Sequence, residues 1–205
     1  MTGFTKISPR SEFEGVDAEA KDFYPPYFFY TNRVKESDWW VGFGINTPFG
    51  LGTDWKSDAG FNVTFRSLTP LNPVDVVTET TIEMAKIAPV VAYRVNDRFS
   101  IGFGPEYYLV NKVVYKGGSS DGAGTGWNYS MKGDGHGIGF TLGGLYQASD
   151  ALRVGLAWHS GVTAKLSGTA SLFPDSSGVP YSGKASVDLH LPDTMALGIS
   201  YLVTD

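Results

Sequence analysis

Two-residue alternation recurs through this 205-residue chain and confines it to extended structure. Leu152, Val154, Leu156 and Trp158 alternate with Arg153, Gly155, Ala157 and His159. Phe99, Ile101 and Phe103 alternate with Ser100, Gly102 and Gly104. Ile138, Phe140 and Leu142 alternate with Gly139, Thr141 and Gly143; Met195, Leu197, Ile199 and Tyr201 with Ala196, Gly198 and Ser200. In a strand each set occupies one face of the sheet. One face is bulky and apolar. The other is mostly Gly, Ala, Ser and Thr, not the Lys and Glu of a water-facing sheet. Bulky groups turned to lipid around an interior of small and polar groups define a transmembrane β-barrel.

Composition narrows the alternatives. Hydrophobic residues at 42% and aromatics at 14% argue against disorder. A formal charge of −5 disfavours a nucleic-acid binder. The absence of cysteine rules out a disulfide scaffold and a cysteine-ligated metal site, and is compatible with an oxidising compartment. No apolar run is long enough for a membrane-spanning helix. Met1 to Arg10 lacks the apolar core of a signal peptide.

A loose repeat sets the layout. Asp38, Asp97 and Asp150 each open an alternating run just after a short polar segment. Between these lie Gly/Ser/Pro/Asp-rich stretches near 52–78, 117–130 and 173–182. Short turns at one rim and long loops at the other are a barrel's arrangement. Strands are expected over 24–34, 39–51, 79–95, 98–116, 131–147, 151–172 and 184–203. Trp39, Trp40, Tyr93, Phe99, Tyr146, Trp158 and Tyr201 fall near strand ends, where an aromatic girdle is expected.

Two runs carry a family resemblance. One is Trp40-Val-Gly-Phe-Gly-Ile-Asn-Thr-Pro-Phe-Gly-Leu-Gly-Thr-Asp-Trp55; the other is Ile87-Ala-Pro-Val-Val-Ala-Tyr-Arg-Val-Asn-Asp-Arg-Phe-Ser-Ile-Gly-Phe-Gly104. They resemble the long-chain fatty-acid and hydrocarbon transporters of the Gram-negative outer membrane, the FadL/TodX/OmpP1 family. Gly137–Tyr146 and Asp188–Thr194 fit as well. The resemblance runs from about residue 20 to the end. It implies an all-β, antiparallel transmembrane β-barrel of 14 strands, plugged by an N-terminal hatch. Substrate would be captured by loops, held in an interior pocket and released sideways beneath a kinked strand. Lateral release suits an alkyl chain, which gains about 0.8 kcal/mol per CH₂ in apolar surroundings. The hatch motif is not recognisable and only about seven strands are represented, so residues 1–205 are expected to be one fragment of the barrel domain, an open curved sheet with two unpaired edges.

The resemblance assigns roles to particular residues. Pro48, Phe49 and Gly50 fall at the kinked strand beside the lateral opening, and Pro and Gly there would weaken a ladder on physical grounds too. Gly143 would keep the path to that opening clear. Lys116 falls where the family places an arginine against the fatty-acid carboxylate; lysine keeps the charge and loses the bidentate fork. Phe61, Phe65 and Trp127 are the candidate apolar contacts on the loops. Glu106, Arg153 and His159 fall on the interior face, where an ion-pair ladder or a solvated lumen is expected. The three histidines lack ligand-like spacing, and no nucleophile–base arrangement is evident.

The expectation is therefore a non-enzymatic outer-membrane channel that uses no cofactor or metal. It would pass fatty acids, alkanes or aromatic hydrocarbons by passive, ligand-gated diffusion, among outer-membrane lipid and lipopolysaccharide, as a monomer when full length, without nucleic acid. A general porin, a structural outer-membrane protein and a soluble β-sandwich binding module are the alternatives. A porin lumen would carry rings of charge.

Overall fold

The alternating segments form strands in the computed structural model, which describes residues 1–13, 15–48, 50–55, 74–120, 126–174 and 179–203. Three short N-terminal strands are β1 (Thr2–Phe4), β2 (Glu12–Phe13) and β3 (Val16–Asp17). The wall is built by β4 (Pro26–Arg33), β5 (Trp39–Asn46), β6 (Gly50–Asp54), β7 (Val74–Arg94), β8 (Phe99–Ser120) and β9 (Gly126–Gln147). It continues through β10 (Leu152–His159), β11 (Val162–Pro174), β12 (Tyr181–Leu191) and β13 (Thr194–Tyr201). All pairings are antiparallel. The main path runs β1-β4-β5-β7-β8-β9-β10-β13, with β6 beside β7, and β11 between β9 and β12.

Among the described residues the wall is crossed seven times, and three of the crossings are broken in two. The stretches expected as single strands over 39–51, 151–172 and 184–203 are the pairs β5/β6, β10/β11 and β12/β13. Pro48 and Pro192 cannot donate to a ladder, which accounts for two of the breaks. At the third, Ser160 replaces ladder bonds: its N–H donates to the Phe140 carbonyl, and its hydroxyl accepts from the Phe140 N–H, both at 2.9 Å. Conversely, β8 and β9 reach Ser120 and start again at Gly126, so part of the stretch expected as a loop over 117–130 is strand.

The bulky face looks outward. Ile101, Phe103, Leu142, Leu156, Met195, Leu197 and Ile199 are all exposed, whereas Gly104, Glu106, Tyr108 and Val110 on the other face of the sheet are buried. Near the short turns, Trp39 pairs with Tyr93, Phe99 with Tyr146, and Leu152 with Tyr201. Together these aromatic rings make an outer row; Trp39 and Tyr93 lie 4.8 Å apart, centroid to centroid. Trp40, opposite Ala92, turns inward instead. Trp158 sits higher on the outer face, edge-on to Phe140 at 5.3 Å. The same rim is tied by Arg94, whose Nη2 donates to Asp38 at 2.6 Å.

The inner face is lined by backbone. Gly133, Gly135, Gly137 and Gly139 occupy successive inward positions of β9. A Cβ on Gly137 or Gly139 would meet the Val162 methyls at 2.6 and 2.5 Å. With no side chains between them, β11 leans over β9, and its Val162, Ala164 and Leu166 bury against Met84, Tyr108 and Val110.

Candidate functional site

Residues of β4, β5, β7, β8, β9 and β10 line an open cavity of about 490 Å³. Its walls include Gly44, Ala88, Val90, Ala92, Gly102 and Gly143. That volume lies in the range of small-molecule sites, which bury an apolar ligand and fix it with a few polar groups.

The polar groups come from three strands. Glu106 on β8 is 1% exposed, and its carboxylate is fully used. Oε1 accepts from Lys86 Nζ and from His159 Nδ1, each at 2.8 Å, and Oε2 accepts from the Tyr108 hydroxyl at 2.9 Å. Lys86 Nζ also lies 5.9 Å from the centroid of the Tyr108 ring. A buried carboxylate persists only when paired and hydrogen-bonded, and this one has three donors. The group forms one end of the cavity. Beyond it, toward the long loops, lies the apolar cluster that includes Tyr108.

Beside the cavity the wall is interrupted. The β4–β5 ladder ends at the Phe28–Ile45 pair, and among the described residues β6 pairs only with β7. Asn46 faces Lys86 while Gly50 faces Glu83, so three residues of one strand stand against two of the other. The register of β6 against β7 is therefore offset by one residue from that of β5. Pro48 and Gly50 lie at this offset; Phe49 lies outside the described residues. Higher up, the segment before β4 ties back to β6. The Glu19 N–H donates to the Asp54 carbonyl at 2.7 Å, and Lys21 Nζ donates to the Asp54 carboxylate at 2.7 Å. The latter bond raises the Lys21 pKa above its ordinary value.

Gly143 lies on the cavity wall, opposite Gly102 and Ala157. A Cβ there would meet only the Leu156 carbonyl oxygen, at 3.5 Å. Lys116 lies elsewhere. It faces Glu79 across the β7–β8 ladder and is ion-paired with it. Counting by twos from Glu106 would put Lys116 inside. Met84 pairs with Val110 but Glu83 pairs with Lys112, so Asn111 is an extra residue and the alternation of β8 flips beyond it. Glu79 and Glu83 are on the face of β7 opposite Met84 and Lys86, and Lys116 shares that face. Trp127 is in β9, between Ser119 and Pro174. Phe61 and Phe65 lie outside the described residues. The alternation flags Glu106 and His159 as inward but misses Lys86, whose sequence signal is only a charge placed directly before the apolar run Ile87–Tyr93.

A seven-crossing antiparallel wall, greasy outside and lined by small residues, is the architecture of an outer-membrane β-barrel. The chain belongs to the outer membrane protein transport protein family (OMPP1/FadL/TodX), whose family model matches residues 8–205. Its location is the outer membrane. Among solved structures, it is similar to a Pseudomonas aeruginosa FadL homologue, with a TM-score of 0.76 at 17% identity over 94% of this chain and 48% of that one. It is also similar to the Pseudomonas putida toluene transporter TodX, with a TM-score of 0.66 at 15% identity over 92% of this chain and 53% of that one. A third similar structure is a TodX deltaS2S3 mutant, described as a monoaromatic hydrocarbon channel, with a TM-score of 0.70 at 16% identity, covering 99% and 56%. The chain thus spans about half the length of these structures. No curated protein matches it.

Proposed function

We propose that the protein passes hydrophobic small molecules across the outer membrane, by passive, ligand-gated diffusion that ends in lateral release through the barrel wall. The reading rests on one observation: an apolar cavity sits directly beside an interrupted stretch of the wall, with Gly44, Asn46 and Lys86 bordering it next to the break between β5 and β6. An apolar solute in the cavity can move sideways into hydrocarbon without crossing water, which keeps the transfer free energy favourable throughout. Fatty acids, alkanes and aromatic hydrocarbons are all suitable cargo, and the barrel would work as a monomer among outer-membrane lipid and lipopolysaccharide. The chemistry is transport, not catalysis.

Gly143 supplies the test. Gly143→Phe should fill the cavity without breaking the wall, because space is open at that position. In cells expressing the protein, uptake of labelled toluene or oleate is expected to fall to background while the amount of folded barrel in the outer membrane is unchanged. Uptake at the unaltered rate would remove the cavity from the route.

The carboxylate role of Lys116 is tested separately. Because Lys116 is engaged by Glu79 and is 40% exposed, Lys116→Ala is expected to cost under about 1 kcal/mol of stability and to leave oleate affinity unchanged in equilibrium dialysis. A clear fall in affinity would give Lys116 the carboxylate contact after all.

A further inference from the structure

We infer that the polar end of the cavity, made by His159 and Lys86, is a recognition site for an uncharged hydroxyl, so that the favoured cargo is a small apolar molecule bearing one alcohol or phenol group. This inference rests on the cavity being the place where cargo is held.

The hydrogen-bond directions carry it. Glu106 lies between Lys86 and His159, and its carboxylate oxygen can only accept, so the proton on the near side of the imidazole sits on Nδ1. In the neutral ring Nε2 is then an acceptor. Among the described residues, no group hydrogen-bonds to it. His159 is 30% exposed and borders the cavity. Lys86 Nζ donates one of its three protons to Glu106, and its side chain is 13% exposed. The cavity therefore offers one acceptor and spare donors, on nitrogens that share the same carboxylate oxygen. A hydroxyl is the smallest group that donates to one and accepts from the other. The hydroxyl of Thr141, which also borders the cavity, donates to the Trp158 carbonyl at 3.2 Å, and that of Tyr108 donates to Glu106.

Charge selects against an acid. The positive charge of Lys86 is balanced by Glu106, 2.8 Å away. A bound carboxylate would be a second anion beside a 1% exposed Glu106, and its oxygens would face the lone pair of Nε2. Like charges sharing a poorly solvated site repel. An unsubstituted hydrocarbon fits the walls but leaves the polar end without a partner.

Three ligands of one shape separate these cases: p-xylene, p-cresol and p-toluate, radiolabelled, in equilibrium dialysis against the detergent-purified protein as its gene encodes it. The expected order is p-cresol tightest, about tenfold ahead of p-xylene, and p-toluate weakest. His159→Phe should reduce the advantage of p-cresol to under about twofold with p-xylene affinity kept. His159→Gln, whose amide can donate to Glu106 and still accept, should retain most of it. Equal binding of p-xylene and p-cresol, tightest binding of p-toluate, or a preference untouched by His159→Phe would overturn the inference and leave the transport reading standing. Failure of all three ligands to bind would overturn both. The ranking in the unaltered protein decides the matter even where the Phe variant does not fold.

Discussion

Glu106→Leu is expected to destabilise the barrel by about 3–5 kcal/mol, because it strands the Lys86 ammonium in a poorly solvated lumen and removes the acceptor of both Tyr108 and His159. The informative partner is the double substitution Lys86→Met with Glu106→Leu. Replacing a whole buried ion pair by apolar groups of similar volume is often close to neutral. The double variant should therefore recover more than half of the loss. Denaturant unfolding in lipid vesicles, followed by tryptophan fluorescence, measures both. If single and double variants are equally unstable, the carboxylate acts through packing or through Tyr108, and the ion pair is not the main contribution.

Gly168→Ala is the second large effect. A Cβ on Gly168 would run into the Lys132 carbonyl oxygen and approach the Gly133 Cα to 2.6 Å. Both obstacles are backbone of the neighbouring strand and cannot rotate away. The substitution forces β11 and β9 apart at the Gly168–Gly133 pair, at a cost of about 3 kcal/mol. Gly143→Ala, on the same inner face, meets only one atom in ordinary contact and should change stability by less than about 0.5 kcal/mol. Comparable losses at the two positions in an unfolding titration would mean that strand propensity, and not steric closeness, sets the cost.

Much of the fold is legible in the alternation. The period of two gives the strands and their outward face. The places where it fails share one cause. A strand's face can be counted only while its register is unbroken, and register is a relation between strands. Asn111 shifts the count in β8, which moves Lys116 to the other face. The breaks at Pro48 and Pro192 carry a visible mark, whereas the one at Ser160-Gly161 rests on hydrogen bonds to Phe140 that no local pattern encodes. The cavity's polar end is hidden for the same reason. Glu106 and His159 are 53 residues apart, and Lys86 joins them only once β7, β8, β9 and β10 are aligned.

The glycine-lined interior has a consequence for how such a conduit can be tuned. Where side chains are missing, a traveller slides past amides and carbonyls already committed to their own ladder, and that surface is chemically the same for every guest. Discrimination is left to the few positions that still project a functional group. A change of cargo then needs only one or two substitutions, with the scaffold untouched.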